Sequence, residues 1–280
     1  MNNTIPNFTL NDGQEIPAVG LGTYKLKGEA GVQSLITGIN AGYRLLDSAY
    51  NYENEGTVGE AVKRTHIPRE ELLITSKLPG RYQEFGLALS TVQESLFRAG
   101  LDYYDFYLIH WPNPQQDQYI GAWQALIEAK KRGYVRSIGV CNFLPEHLDR
   151  IEKETGVKPV LNQIELHPYF NQEKQRHWHN EHQILTQSWS PLLRGNEIFN
   201  HEAITRIASQ HHKKPSQVIL RWHYQLNAIA IPKSGNAERQ VENISIFDFE
   251  LSEANMEAIS ALTQEQGRMK DQDPAIYEEF

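Results

Sequence analysis

The chain has 280 residues, 40% of them hydrophobic, enough to bury one sizeable core. Its formal net charge of −8 comes without a basic block, so neither nucleic acid nor an anionic membrane finds an electrostatic footprint on it. The single cysteine, Cys141, excludes an internal disulfide and agrees with a reducing compartment.

The opening "MNNTIPNFTL" lacks a charged segment followed by an apolar one, and no run of about eighteen apolar residues occurs. No signal peptide or spanning helix is expected, and the sequence reads as that of a soluble cytoplasmic protein. In "NFTLNDGQEIPAVG", Asp12-Gly13 lies between short segments carrying Phe8, Leu10 and Ile16, the pattern of a β-hairpin. Eight apolar runs then follow: "AVGLGTY", "RLLDSA", "LLITSKL", "DFYLIHW", "SIGVCNF", "PVLNQIEL", "ILTQSWS" and "AIAIPKS". Between them lie segments with apolar residues at helical spacing, among them 91–99, 121–131, 145–154 and 202–210. Strand and helix alternating eight times within roughly 250 residues predict a closed (β/α)8 TIM barrel, with a doubly wound open sheet as the alternative. "SEANMEAISALT" predicts an extra helix capped by Ser252, and residues 264–280 form a polar tail with late aromatics at Tyr277 and Phe280. The whole of 1–280 reads as one domain of this kind.

In such a barrel, function gathers where strands end and the following loops begin. The second run delivers Asp47 and, five residues on, Tyr52; the third delivers Lys77; the fourth delivers His110. Taken singly, an Asp at a strand end is usually a cap, a rim Lys is solvated, a His is a satisfied core group and a Tyr is packing. Their arrival at three consecutive strand ends points instead to one site. A cation beside a phenol favours tyrosinate, so Lys77, held by Asp47, is expected to lower the pKa of Tyr52 and make it a general acid. His110 is placed to orient a carbonyl oxygen.

The eighth run leads into "IAIPKSGNAERQVEN", where Lys233-Ser234-Gly235 precedes a helix carrying Arg239. Barrels commonly bind phosphate after their last strands, at a helix N-terminus whose N–H groups point outwards, and Lys233 with Arg239 adds two positive charges. Solvated surface charges are the alternative reading of the same residues, outweighed because Ser, Lys and Arg converge where a barrel places phosphate.

Two long patterns, "GYRLLDSAYNYENEGTVG" and "IPKSGNAERQVENISI", make the chain similar to the aldo-keto reductases along nearly its whole length. The resemblance implies a catalytic tetrad of Asp47, Tyr52, Lys77 and His110, with Tyr52 as proton donor, and NADPH as cofactor. By the same resemblance, Asn142 and Gln163 hold the nicotinamide carboxamide, Trp189 stacks on its ring, and Thr23, Asp47 and Leu192 line the cofactor groove. Lys233, Ser234 and Arg239 grip the 2′-phosphate, with Glu242 and Asn243 near the adenine. It further implies an oxidoreductase that reduces aldehydes and ketones, dicarbonyls or keto sugars among them, acting as a monomer. A non-enzymatic NADPH-binding barrel is the competing reading. No G-x-G-x-x-G turn is present, as "GLGTYKLKG" lacks the third glycine.

The substrate pocket implied by the resemblance is walled by Tyr24, Asn51, Tyr52, His110 and Trp111, with Tyr277 or Phe280 from the tail, and the short "NPQQDQ" stretch is expected to leave it open. Ser48, Cys141 and Leu193 depart from the family's usual residues without removing a proton donor or a charge. "RHWHNEH" gathers His177, His179 and His182, but one helix points them in different directions, so no metal site is expected. "HHKK", 211–214, reads as a solvated helix end.

Overall fold

Six-residue apolar runs such as "LITSKL" and "YDFYLI" suit strands buried on both faces, as parallel strands between a packed interior and a helical coat must be. The computed structural model describes residues 5–195 and 197–280. A hairpin of β1 (Asn7–Thr9) and β2 (Glu15–Pro17) comes first. Eight parallel strands follow: β3 (Leu21–Gly22), β4 (Leu45–Asp47), β5 (Leu73–Leu78), β6 (Tyr104–Ile109), β7 (Val135–Cys141), β8 (Leu161–Glu165), β9 (Leu185–Trp189) and β10 (Ala228–Ala230). They pair in sequence order, each with the next. Main-chain bonds close the ring: Gly20 N–H donates to Ala230 O (3.0 Å), Ala230 N–H to Ala18 O (3.2 Å) and Gly22 N–H to Pro232 O (3.1 Å). This is the closed barrel rather than the open sheet.

The helices are α1 (Gly28–Ala41), α2 (Glu55–Arg64), α3 (Phe85–Ala99), α4 (Tyr119–Lys131), α5 (Pro145–Thr155), α6 (Glu173–Glu181), α7 (Glu202–His211), α8 (Pro215–Gln225), α9 (Ala237–Ile244) and α10 (Glu253–Ser260). Side chains alternate along the strands. Phe106 and Leu108 join Leu45, Leu161, Ile229 and Ile231 inside the barrel, whereas Tyr107 and Ile109 face Val92, Trp123 and Leu126 in the helical coat. Leu10 and Ile16 of the hairpin are buried with the interior set, so the hairpin plugs the end of the barrel where the strands begin. That leaves the opposite rim as the place for a cavity.

Local chemistry fixes the element ends. Ser252 Oγ accepts from Asn255 N–H at the start of α10, as the sequence predicts, and Asn236 Oδ1 accepts from Arg239 N–H at the start of α9. Gly100 ends α3 with φ +63, a left-handed conformation that glycine adopts without a Cβ clash. Gly59 serves packing: a Cβ there would lie 1.7 Å from Ala99 O, so its absence lets α2 rest on the end of α3.

Candidate active site

Asp47 is the last residue of β4, Lys77 lies in β5, and His110 follows β6, so the parallel register brings all three to one rim. Tyr52 enters from a 3-10 turn, Tyr50–Tyr52, just after β4. That turn is anchored by Asn54, whose side-chain N–H groups donate to Thr23 O (2.7 Å) and Leu26 O (3.0 Å) while its oxygen accepts from Ser48 Oγ (2.8 Å). Lys77 is fully buried and donates to Asp47 Oδ2 and to Ser48 O, both at 2.7 Å. Its ammonium stands 5.1 Å from the centre of the Tyr52 ring, and the His110 ring centre is 6.0 Å from that of Tyr52.

The electrostatics correct one expectation. Burial opposes a charge on Lys77, but the Asp47 carboxylate beside it outweighs that and raises its pKa, keeping it cationic. Tyr52, however, is not made acidic: its pKa is pushed up to about 12. Burial is the largest cause; Lys77 pulls the other way, and Asp47 opposes that pull. Tyr52 is half-buried, and part of it faces the cavity. Tyr52 therefore holds its proton at neutral pH, and the adjacent cation reduces the cost of losing it only once the proton leaves.

A cavity of about 950 Å³ begins at these residues and runs along the rim. Thr23, Tyr24, Asp47, Tyr52, His110, Trp111, Asn142, Gln163, Trp189, Leu192, Lys233, Ser234, Arg239, Glu242 and Asn243 all line it. Lys77 lies behind Asp47, out of the cavity. Gln163 Nε2 donates to Asp47 Oδ1 (2.8 Å) and to Gln187 Oε1 (2.7 Å). Asn142, with φ +62, donates to His110 O (3.0 Å) and accepts from the Trp189 indole N–H (2.8 Å). The amides and the indole are thus braced by one another.

At the far end, Lys233, Ser234 and Arg239 gather where β10 runs into α9. Ser234 Oγ accepts from Asn236 N–H (3.1 Å), drawing the loop into a turn. Neither Lys233 nor Arg239 forms an ion pair among the described residues, and both line the cavity. Glu242 instead pairs with the exposed Lys214, and Lys213 pairs with Asp248, at the solvated end of α7.

The pocket wall differs from expectation on the tail side. Asn51 does not line the cavity: its amide donates to Glu279 Oε1 (2.9 Å) and its oxygen accepts from Arg81 Nη1 (2.6 Å). Tyr277 packs on Trp111 at 4.5 Å between ring centres, whereas Phe280 is exposed. The "NPQQDQ" stretch does not leave this side open, because Asn113, Gln115 and Gln116 all hold the tail. Glu279, 2.8 Å from His110 Nδ1, was not among the expected site residues. Nothing local in "YEEF" marks it, since its partners lie far away in the chain. Leu193 takes φ +48, a conformation that costs a branched side chain about 1 kcal/mol and that glycine adopts freely.

The three histidines of "RHWHNEH" separate. His179 is buried against Asn162 and Thr186, and burial pushes its pKa down to about 3, so it is a neutral packing group. His182 stacks on Trp178, and His177 pairs with Glu181 at the surface. The Cys141 thiol is buried, and burial pushes its pKa well up.

The family model for the aldo/keto reductase family matches residues 18–196 and 199–264. 2,5-Diketo-D-gluconic acid reductase B of Corynebacterium sp. (strain SHS752001) is 46% identical over 276 residues, 99% of each chain. Methylglyoxal reductase DkgA of Salmonella typhimurium is 42% identical over 266 residues, 95% of each chain. The crystal structure of a Gox0644 mutant in complex with NADPH superposes with a TM-score of 0.93 at 40% identity, covering 98% of this chain and 99% of that one. The chain belongs to the aldo/keto reductase family. It is an NADPH-dependent oxidoreductase acting on carbonyl compounds. No helix among the described residues is long and apolar enough to cross a membrane.

Proposed function

We propose that this chain reduces small aldehydes and dicarbonyls, with Tyr52 passing its proton to the carbonyl oxygen. The observation that carries this is one cavity joining Asp47, Tyr52 and His110 at one end to the unpaired Lys233 and Arg239 at the other. NADPH, when bound, supplies the hydride that the carbonyl carbon accepts. Asn142, Gln163 and Trp189 are the groups suited to hold its nicotinamide, and Thr23 and Leu192 flank the groove. Lys233, Ser234 and Arg239 suit the 2′-phosphate, and Glu242 and Asn243 the adenine.

The raised pKa of Tyr52 keeps the donor loaded until negative charge grows on the carbonyl oxygen. Lys77, held charged by Asp47, then offsets the phenolate that forms, and His110 offers a second donor to the same oxygen. Tyr24 and Trp111 give the remaining wall an aromatic surface, which suits small carbonyl compounds. The two relatives are named for dicarbonyl substrates, which supports the same chemistry here. The unpaired Cys141 supports a reducing, cytoplasmic setting.

Tyr52→Phe tests the assignment. NADPH oxidation with methylglyoxal should fall by about 10²- to 10⁴-fold, the usual worth of a positioned general acid. NADPH binding, followed by quenching of protein fluorescence, should persist. Retained turnover would remove Tyr52 from the role.

A further inference from the structure

Glu55 opens α2 a short step after Tyr52, and only 3% of it is exposed. Its Oε1 accepts from Ser76 Oγ (2.5 Å), and the Tyr104 hydroxyl lies 3.4 Å from the same oxygen. Its Oε2 is enclosed with no hydrogen-bond partner among the described residues, and Arg98 Nη1 stands 3.9 Å from it. Burial pushes the carboxyl above its usual range, although Ser76, Ser95, Arg98 and Tyr104 all pull it down. A buried carboxyl with one bare oxygen is a poor stabiliser, because that oxygen has given up water for no bond. An apolar chain of similar length would fill the space without that cost.

What the carboxyl supplies is a tie to the site. Adjacent strand residues face opposite ways: Lys77 pairs with Leu108 of the barrel interior, whereas Ser76 pairs with Tyr107 of the helical coat. The Glu55–Ser76 bond therefore fastens the start of α2 to the strand residue next to Lys77. On the other side, Asn54 Oδ1 accepts from Ser48 Oγ (2.8 Å), and Ser48 O accepts from Lys77 Nζ (2.7 Å). Lys77, Ser76, Glu55, Asn54 and Ser48 thus close a circuit, and Tyr52 lies on the short stretch of chain between Ser48 and Asn54. That stretch has little to hold it by itself, being one 3-10 turn that exits through Glu53 at φ +53. Arg98 adds a bond from α3, donating from Nη2 to Tyr50 Oη (2.7 Å) at the start of the same turn. α2 comes this close because Gly56 and Gly59 meet the end of α3, where a Cβ would lie 3.2 Å from Arg98 O and 1.7 Å from Ala99 O.

We propose that Glu55 is a positioning residue for the proton transfer: through Ser76 it holds the turn that carries Tyr52 against the strand that carries Lys77. This rests on the reading of Tyr52 as the proton donor. The Lys77 ammonium, 5.1 Å from the centre of the Tyr52 ring, can offset a growing phenolate only while that spacing is kept.

The test is the single-turnover rate when NADPH-loaded protein is mixed with saturating methylglyoxal, followed by stopped-flow absorbance. Glu55→Met keeps the length of the side chain and removes its oxygens; Ser76→Ala removes the donor. Each should slow the single turnover about 10- to 100-fold, as misplacing a reacting group does, while NADPH affinity stays within about twofold. The double variant should be no slower than the slower single one, because both changes break the same bond. A role in stability alone would lower Tm and leave the rate per bound NADPH in place. A rate within about twofold of wild type in either variant, or losses that multiply in the double one, overturns the proposal. Ser76→Ala, the smaller change, decides by itself if Glu55→Met does not fold. Full turnover by Tyr52→Phe would instead remove the assignment on which it rests.

Discussion

Asp47→Asn removes the carboxylate bonded to a fully buried ammonium while changing almost no volume. Stranding a buried charge costs about 3–5 kcal/mol. The folded variant can escape by giving up the Lys77 proton, and that sets a ceiling. With an unfolded lysine pKa of about 10.4, deprotonation costs about 4.6 kcal/mol at pH 7 and about 1.9 kcal/mol at pH 9. Over 280 residues the unfolding entropy is about 0.6 kcal/mol per degree, so the deficit is up to about 8 °C in Tm at pH 7 and about 3 °C at pH 9. In the wild type the folded pKa of Lys77 is raised, so its contribution is fully present below about pH 10.4 and does not change between these two pH values. The assay is thermal denaturation of both proteins, followed by circular dichroism, at pH 7 and pH 9. A gap as wide at pH 9 as at pH 7 would refute the reasoning, because the loss would not then come from an uncompensated proton.

Lys233→Ala should raise the KM for NADPH about tenfold and that for NADH less than twofold, which steady-state kinetics with both dinucleotides will show; equal rises argue against a 2′-phosphate contact. Gly59→Ala should cost about 2 kcal/mol or more and lower Tm by several degrees, because its Cβ would meet Ala99 O at 1.7 Å; an unchanged Tm means that α2 shifts freely. His179 and His223 are buried and their pKa values pushed down to about 3, so their contribution is complete above pH 6.5 and lost as pH falls towards 3. At pH 4.5 each has lost about 2.7 kcal/mol, so Tm should already be falling between pH 6.5 and 4.5; a flat Tm across that range would show that neither ring is neutral and buried in the folded protein.

The barrel was legible because parallel strands buried on both faces read as continuous apolar runs, and their number and order follow the chain. The rim residues were legible for the same reason: Asp47, Lys77 and His110 each lie in or just after such a run, near its end. What the sequence could not display depends on contacts made across long separations and on how deeply a group is enclosed. Glu279 meets Asn113 across 166 residues, with no periodicity to announce it, and so the tail that looked like a loose wall proved to be clasped behind His110. The acidity of Tyr52 was misjudged because a neighbouring cation can be inferred from spacing, whereas desolvation is a property of everything that surrounds the hydroxyl. Local order and strand-end chemistry were therefore written in the sequence alone. The protonation of the phenol and the partner of the histidine were decided only by the closed barrel, because both are set by burial and by residues brought to one rim from distant parts of the chain.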